Sequence, residues 1–250
     1  MIKPDFRVID EDEDLLVVDK PAQLLVHPTR PGGPPTLWHG LCGLLAYELA
    51  NGGQVSIINR LDRETSGLTL VAKSSSAARE LGRAMMRREL HKVYLAIVRG
   101  WPEEDTFCVD APIVREGEVM DTRIFVKQCV HPAGRECRTD VRVLQRIRHP
   151  AHHNAPFAVV EARPQTGRMH QIRVHLAYSG HPLIGDKLYT GDASEYLDFI
   201  EHGWTDDLAQ RLLLDRHALH SAGLSIGHRS WHSPMPEDLQ AWLLGGMALA

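Results

Sequence analysis

The segment Ile57-Ile58-Asn59-Arg60-Leu61-Asp62-Arg63-Glu64-Thr65-Ser66-Gly67-Leu68 decides how the rest of the chain is read. An apolar run leads into it and Leu68-Thr69-Leu70-Val71-Ala72 leads out, with a polar stretch between them that closes on Ser-Gly. That pattern predicts strand, loop, strand. One carboxylate, Asp62, has Arg60 and Arg63 as neighbours. Guanidinium groups close to a carboxylate hold its pKa down, so Asp62 is expected to be ionised, which suits a nucleophile better than a general acid. Adjacent side chains on extended backbone point to opposite sides, making Arg60 a better companion for Asp62 than Arg63. A surface loop carrying a solvated ion pair fits the same residues.

With 43% hydrophobic and 24% charged residues in 250, the chain has the composition of an ordinary globular protein. No apolar run reaches membrane-spanning length, and Met1-Ile2-Lys3-Pro4-Asp5 lacks a signal-peptide pattern, so a cytoplasmic location is expected. The four cysteines are scattered with no C-x-x-C pair and are expected to be reduced and buried. Cys129, His131 and Cys137 fit no common zinc spacing. The net charge of −4 hides a division. Residues 59–100 hold nine bases against four acids, a net +5, whereas residues 1–20 carry a net −4. A local basic face on an acidic protein is compatible with phosphate binding.

Taken in order, Leu15–Val18 and Leu24–Val26 read as two short strands joined at Lys20-Pro21. Thr36 is an acceptable cap for a helix from Leu37 to about Leu49, stopped by Asn51-Gly52-Gly53. Ser74-Ser75-Ser76 caps a second helix from Ala77 to about Arg88, with Ala77, Leu81, Ala84 and Met85 at apolar spacing. Arg79, Arg83 and Arg87 repeat every four residues and form a basic stripe. His91–Gly100 reads as a strand carrying Tyr94, and further strands are expected over 106–109, 122–128, 140–148 and 157–163. His149-Pro150-Ala151-His152-His153-Asn154 reads as an exposed hairpin loop, and 192–207 as acidic surface helix.

A second informative stretch is Pro164-Gln165-Thr166-Gly167-Arg168-Met169-His170-Gln171-Ile172-Arg173-Val174-His175-Leu176. Thr166-Gly167 predicts a turn, after which Ile172, Leu176 and Ala177 face a core while His170 and Arg173 share another face. His170 and His175 are five apart, not the four of a zinc helix, which excludes a metalloprotease reading.

Arg60-Leu61-Asp62 followed by Thr65-Ser66-Gly67 resembles the core motif of the RluA-type pseudouridine synthases, with Asn59 where the motif usually has His. Three further stretches are similar to that family's other motifs: Val18-Asp19-Lys20-Pro21-Ala22 with Leu25–Pro28, then Lys92-Val93-Tyr94-Leu95-Ala96, and Thr166–His175. Gly180–Tyr189 resembles the segment that follows, and Arg216–Leu224 the closing strand, with Gln23 and Ser221 as departures from the usual Gly and Ala. The resemblance runs from about residue 8 to residue 236. It implies an α+β fold, a mixed, mainly antiparallel β-sheet with flanking helices and loops, in a single catalytic domain over 1–250. No room is expected for an N-terminal S4-type RNA-binding domain.

The implied activity is isomerisation of specific uridines in structured RNA, ribosomal or transfer, without cofactor or metal. By resemblance Asp62 is the catalytic residue, Tyr94 lies against the base and Arg173 pairs with the catalytic Asp. Arg60, Arg83, Arg87, Arg168, His170 and Gln171 are assigned to RNA and base binding. No membrane and no obligate protein partner are expected, and the chain is expected to act as a monomer. Two other classes remain open at this point. A non-catalytic RNA-binding protein would be favoured by loss of Asp62, Tyr94 or Arg173, all of which are present. A glycoside hydrolase would usually need a second carboxylate, and only Glu64 lies near Asp62 in sequence.

Overall fold

The computed structural model describes residues 5–245 and 247–248. The first half contains β1 (Arg7–Glu11), β2 (Leu15–Lys20), α1 (Leu37–Leu44), α2 (Ala46–Ala50), β3 (Ser56–Ile57), β4 (Ser66–Ala72), α3 (Ser75–Met86) and β5 (His91–Arg99). Next come β6 (Thr106–Asp110), β7 (Ile113–Arg115), β8 (Gln128–Val130), β9 (Arg138–His149), β10 (Ala155–Pro164) and α4 (Gln171–Tyr178). The chain continues with α5 (Ser194–His202), α6 (Asp206–Leu212), β11 (Leu219–Ile226), β12 (Arg229–His232), α7 (Glu237–Leu244) and β13 (Met247–Ala248). Two compact units result: the chain up to Lys92 with His220–Pro234, and Val93–Leu219 with the chain from Met235 onward.

In the first unit β2 lies antiparallel between β1 and β4. Successive residues of a strand face opposite sides, and here both sides are covered. Leu16, Val18 and Val71 pack with Leu37, Leu41 and Leu45, while Leu15, Val17, Leu68 and Leu70 pack with Ala77 and Leu81 of α3. That double burial is why β4 reads as an almost unbroken apolar run. Two strands share the other edge of β4: β3 pairs antiparallel at Val71 and Ala72, and β11 pairs parallel at Ser66 and Gly67. In the second unit β10 lies antiparallel between β5 and β9, and β9 carries β6 and β13 on its outer edge. Strands β7 and β8 form a small separate sheet.

The expected strand–loop–strand around Asp62 is present, and α3 starts where Ser74 caps it through the Ala77 N–H. Other expectations need correction. Leu24–Val26 is no strand: Leu25 and Val26 turn their carbonyls to the Leu37 and Trp38 N–H groups, satisfying donors that the start of α1 leaves without helical partners. The helix expected over 37–49 breaks at Leu45, whose backbone (φ −96°, ψ 29°) leaves helical geometry between α1 and α2. Met85 is exposed, so the buried face of α3 is Ala77, Leu81 and Ala84. The cysteines carry free thiols, but only Cys137 is buried; Cys42 and Cys129 are half-buried and Cys108 is exposed.

Residues 122–127 form a local turn instead of a strand. Thr122 Oγ1 takes the Ile124 N–H and Ile124 O takes the Lys127 N–H, so these backbone groups are spent locally. The histidine segment is the expected hairpin connection, joining β9 to β10 with Pro150, Ala151, His153 and Asn154 exposed, and only His149 departs from that reading. His149 is buried within 4.4 Å ring-centroid distance of both His152 and Trp242, and its Nε2–H donates to the Trp242 carbonyl. The acidic 192–207 stretch splits at Gly203 (φ +72°) into α5 and the start of α6.

Gly67 is where β4 and β11 meet. Its φ of +110° excludes most side chains, and an added Cβ would press on the Ser221 carbonyl oxygen and lie 2.7 Å from the Ser221 nitrogen. Gly67→Ala should therefore cost more than about 2 kcal/mol in urea unfolding. A cost within experimental error would mean that the two strands separate easily.

Candidate active site

The loop carrying Asp62 is held at both ends and in the middle. Where β3 leaves the β4 edge, the Ile58 N–H donates to Leu70 O. The buried Asn59 side chain then continues the ladder: its Oδ1 accepts the Leu70 N–H at 2.7 Å and its Nδ2 donates to Leu68 O at 3.0 Å. A carboxamide has the donor and acceptor of a peptide group, so Asn59 completes the edge while the backbone departs. Asp62 O accepts the Thr65 N–H at 3.2 Å, forming the turn. From the β2 side the fully buried Lys20 donates Nζ to the Pro21, Leu24 and Arg63 carbonyls. At the exit Ser66 Oγ meets His220 Nδ1 at 3.0 Å, and Ser221 Oγ donates to Leu68 O. Asp62 is half-buried on this frame and Arg60 is exposed. Burial, and then the Arg60 charge, push the His27 imidazole below its usual pKa, which places Arg60 near the Lys20–Pro28 segment. Arg79, Arg83 and Arg87 are all exposed on α3 and its C-cap, and Arg87 lies 4.0 Å from Glu89.

The second unit holds the other candidates. Tyr94 is buried on β5 opposite Ala162 of β10. Arg168 is exposed in the turn before α4. Gln171, expected at the RNA, is buried with its amide engaged by protein. Its Oε1 accepts from Thr166 Oγ1 and the Arg168 N–H, and its Nε2 donates to Arg138 O and Thr139 Oγ1. Thr139 Oγ1 in turn donates to His175 Nδ1, whose Nε2–H reaches Ala111 O. Burial keeps the His175 imidazole below its usual pKa, consistent with that neutral tautomer. Gln171 thus builds the turn, with both ends of its amide held by protein groups.

His170 precedes α4 in a left-handed conformation (φ 57°), so it shares no helix face with Arg173. Its Nδ1 meets Tyr189 Oη at 2.8 Å, and that hydroxyl accepts the Gln128 N–H. Helix α4 is buried over Gln171–Leu176, Arg173 included. The two-point contact of the Arg173 guanidinium is made with Asp186, Nε to Oδ2 at 2.8 Å and Nη2 to Oδ1 at 2.9 Å. Asp186 is fully buried and also accepts the Leu188 and Tyr189 N–H groups. Burial alone would raise its pKa, but the Arg173 charge and hydrogen bonds hold it below the usual carboxylate range. Folding therefore gains from the pair fully above a pH of about 3.9, and the gain fades as pH falls toward the lower folded value. The sequence places Asp186 inside the Gly180–Tyr189 segment but gives it no role, because its partner Arg173 lies 13 residues away. Beside it, an added Cβ on Gly185 would meet the Arg216 carbonyl.

Two human proteins named RNA Pseudouridylate Synthase Domain Containing 4 and Domain Containing 1 superpose with TM-scores of 0.72 and 0.70 at 23% identity. The alignments cover 96% of this chain and 92% of the former protein, and 100% and 91% for the latter. The family model described as RNA pseudouridylate synthase matches residues 14–178, and the chain belongs to that family. It is 37% identical over 247 residues to the ribosomal large subunit pseudouridine synthase D of Nitrosomonas europaea, covering 95% of this chain and 64% of that protein. It is 35% identical to the Pseudomonas aeruginosa protein of the same name, covering 96% of this chain and 71% of the relative. The chain thus spans about two thirds of the length of these relatives.

Replacing Asn59 tests the loop frame. Asn59→Ala leaves the buried Leu70 N–H without its acceptor and should cost about 1–3 kcal/mol in urea unfolding. Asn59→His, whose Nδ1 can accept that N–H, should cost less. Equal losses for Ala and His would show that the Leu70 hydrogen bond is not what the side chain contributes.

Proposed function

We propose that this chain is an RNA pseudouridine synthase that isomerises specific uridines in structured RNA, acting in the cytoplasm as a monomer. Large-subunit ribosomal RNA is the preferred substrate on the names of its relatives, with transfer RNA the alternative. The observation that carries the reading is the half-buried Asp62 carboxylate on a loop pinned by Asn59, Lys20 and Ser66. The conversion breaks the bond between N1 and the sugar, turns the base and rejoins it through C5. The C5 proton is released and N1 gains one, so nothing is oxidised and no group is lost. Such a balance calls for positioned acid–base groups, which the chain itself supplies.

In this mechanism Asp62 is the working carboxylate, whether it attacks the sugar, attacks the ring or removes a sugar proton. All three routes need it ionised, and Arg173 is the cation that keeps it so. Tyr94 stacks on the uracil, a contact worth about 1–3 kcal/mol per base, and its hydroxyl assists proton transfer. A uridine in a duplex must leave its stack, at a cost of a few kcal/mol. Arg60 fills the vacated space or holds the flipped phosphate. Arg168 and His170 contact the RNA from the turn before α4, and Arg83 and Arg87 from α3. Among the described residues no helix is long and apolar enough to cross a membrane.

Asp62→Asn and Asp62→Ala should abolish tritium release from 5-tritiated uridine in RNA while leaving RNA affinity within several-fold. Turnover by Asp62→Asn at the wild-type rate would remove Asp62 from the chemistry. Arg83→Ala with Arg87→Ala should reduce the slope of log K against log salt by about 0.7–0.9 for each phosphate these arginines neutralise, without changing which uridine is modified. An unchanged slope would assign both arginines to solvent.

A further inference from the structure

We infer that the loop over residues 27–35, together with His39, is an anion site that takes a phosphodiester of the bound RNA near the uridine being modified. It rests on the proposed RNA substrate and lies wholly within the first unit. The loop is closed at its neck, where the Leu37 and Trp38 N–H groups donate to Leu25 O and Val26 O. At its tip the Gly33 N–H donates to Arg30 O, with Pro31 second in the turn and Gly32 third at φ +68°. Proline and glycine in those places suit a type II turn. Pro28, Pro31, Pro34 and Pro35 each fix a further φ angle of the loop. A loop built this way has little conformational freedom to lose when a ligand binds.

An open hollow of about 460 Å³ lies against the loop, lined by residues 28–33 and His39. That volume is in the range of small-ligand sites. Among the described residues no carboxylate lines it, and the exposed Arg30 guanidinium has no ion-pair or hydrogen-bond partner. The arginine stem runs close to Gly33, where an added Cβ would lie 3.4 Å from Arg30 Cγ. His39, the third residue of α1, is oriented by the helix cap. The Thr36 N–H donates to His39 Nδ1 at 3.2 Å, while Thr36 Oγ1 accepts the His39 N–H. With Nδ1 used as an acceptor, the neutral ring carries its proton on Nε2. That Nε2–H has no partner among the described residues. Arg30 and His39 therefore offer donors with no acid to neutralise them, which fits an anion. A guanidinium also matches the oxygens of a phosphate at two points.

The loop begins beside the Asp62 segment. Burial, and then the Arg60 charge, lower the pKa of His27, the first residue of the loop, so Arg60 lies near that end. Arg60 is exposed and, like Arg30, has no carboxylate partner among the described residues. A strand whose uridine reaches Asp62 carries a phosphate on each side of that nucleotide, and cations at neighbouring points of the surface suit such a repeat.

The test is filter binding of in vitro-transcribed large-subunit ribosomal RNA and of transfer RNA over a range of salt concentrations, with folding checked by circular dichroism. Arg30→Ala should lower the slope of log K against log salt by about 0.7–0.9, which is about a five- to eightfold loss of affinity at 0.1 M salt. His39→Glu keeps the helix cap, because Thr36 followed three residues later by Glu is a capping box. It places a negative charge in the hollow and should weaken RNA binding at least as much as Arg30→Ala. His228→Glu makes the same change on an exposed histidine of the β11–β12 turn and, through screening, should cost less than about twofold. An unchanged slope in Arg30→Ala would overturn the inference. Equal losses in His39→Glu and His228→Glu would also overturn it, since the effect would then be one of net charge alone. The expected binding changes without tritium release from 5-tritiated uridine by the wild-type protein would support the site and refute only the proposed isomerisation. Failure of the wild-type protein to bind either RNA would overturn both.

Discussion

Between the point where β3 leaves the edge of β4 and the point where β11 joins it, the hydrogen-bonding of that edge is continued by the Asn59 carboxamide. This lets the backbone turn away at Arg60 without leaving the Leu70 N–H unpaired in the core, where it would cost free energy comparable to a lost hydrogen bond. The geometry of the Asp62 loop follows from it. Because Asn59 and Ser66 are both fixed to β4, the residues between them must leave and return within a short span, and the Asp62–Thr65 turn closes that excursion. Lys20 then ties the middle of the loop to the end of β2 through the Arg63 carbonyl. In the proposed reaction this frame positions the carboxylate before substrate arrives, so less of the binding energy is spent on ordering it.

The second unit solves a comparable problem with different chemistry. Its Thr166–Arg173 turn is exposed at Gly167–Met169 and buried from Gln171 onward, and the buried part is stable because its polar groups find partners. Gln171, Thr139 and His175 form one chain of donors and acceptors that ends on Ala111, and Gln128, Tyr189 and His170 form another. Such networks are costly when incomplete and rigid when satisfied. Arg173 and Asp186 add charge to this rigid setting, and the Arg173 charge and hydrogen bonds hold the Asp186 carboxyl below the usual carboxylate range against the effect of burial.

The parts of this architecture that are legible in sequence are those set by burial. Leu15–Val18, Leu68–Ala72 and the Ala77, Leu81, Ala84 spacing announce elements because each pattern reflects which side faces a core. The Asp62 loop is legible for the same reason, lying between two buried runs. What stays hidden is who supplies each hydrogen bond. Leu24–Val26 is as apolar as a strand, yet its carbonyls serve the start of α1, and Thr122–Lys127 spends its backbone in a turn. Gln171 reads as a polar residue suited to RNA, and Asp186 as one acid among many. Their roles depend on partners 13 to 33 residues away in the chain, Asp186 on Arg173 and Gln171 on Arg138, which no local pattern records.

The central claim is that the framed Asp62 carboxylate isomerises uridines in cellular RNA. Its most direct test maps pseudouridines across ribosomal and transfer RNA in cells lacking this gene, then in the same cells complemented with the wild-type protein or with Asp62→Asn. The account predicts that one or a few positions lose pseudouridine on deletion, regain it with the wild-type protein and remain uridine with Asp62→Asn. Identical maps in all strains, or restoration by Asp62→Asn, would contradict it.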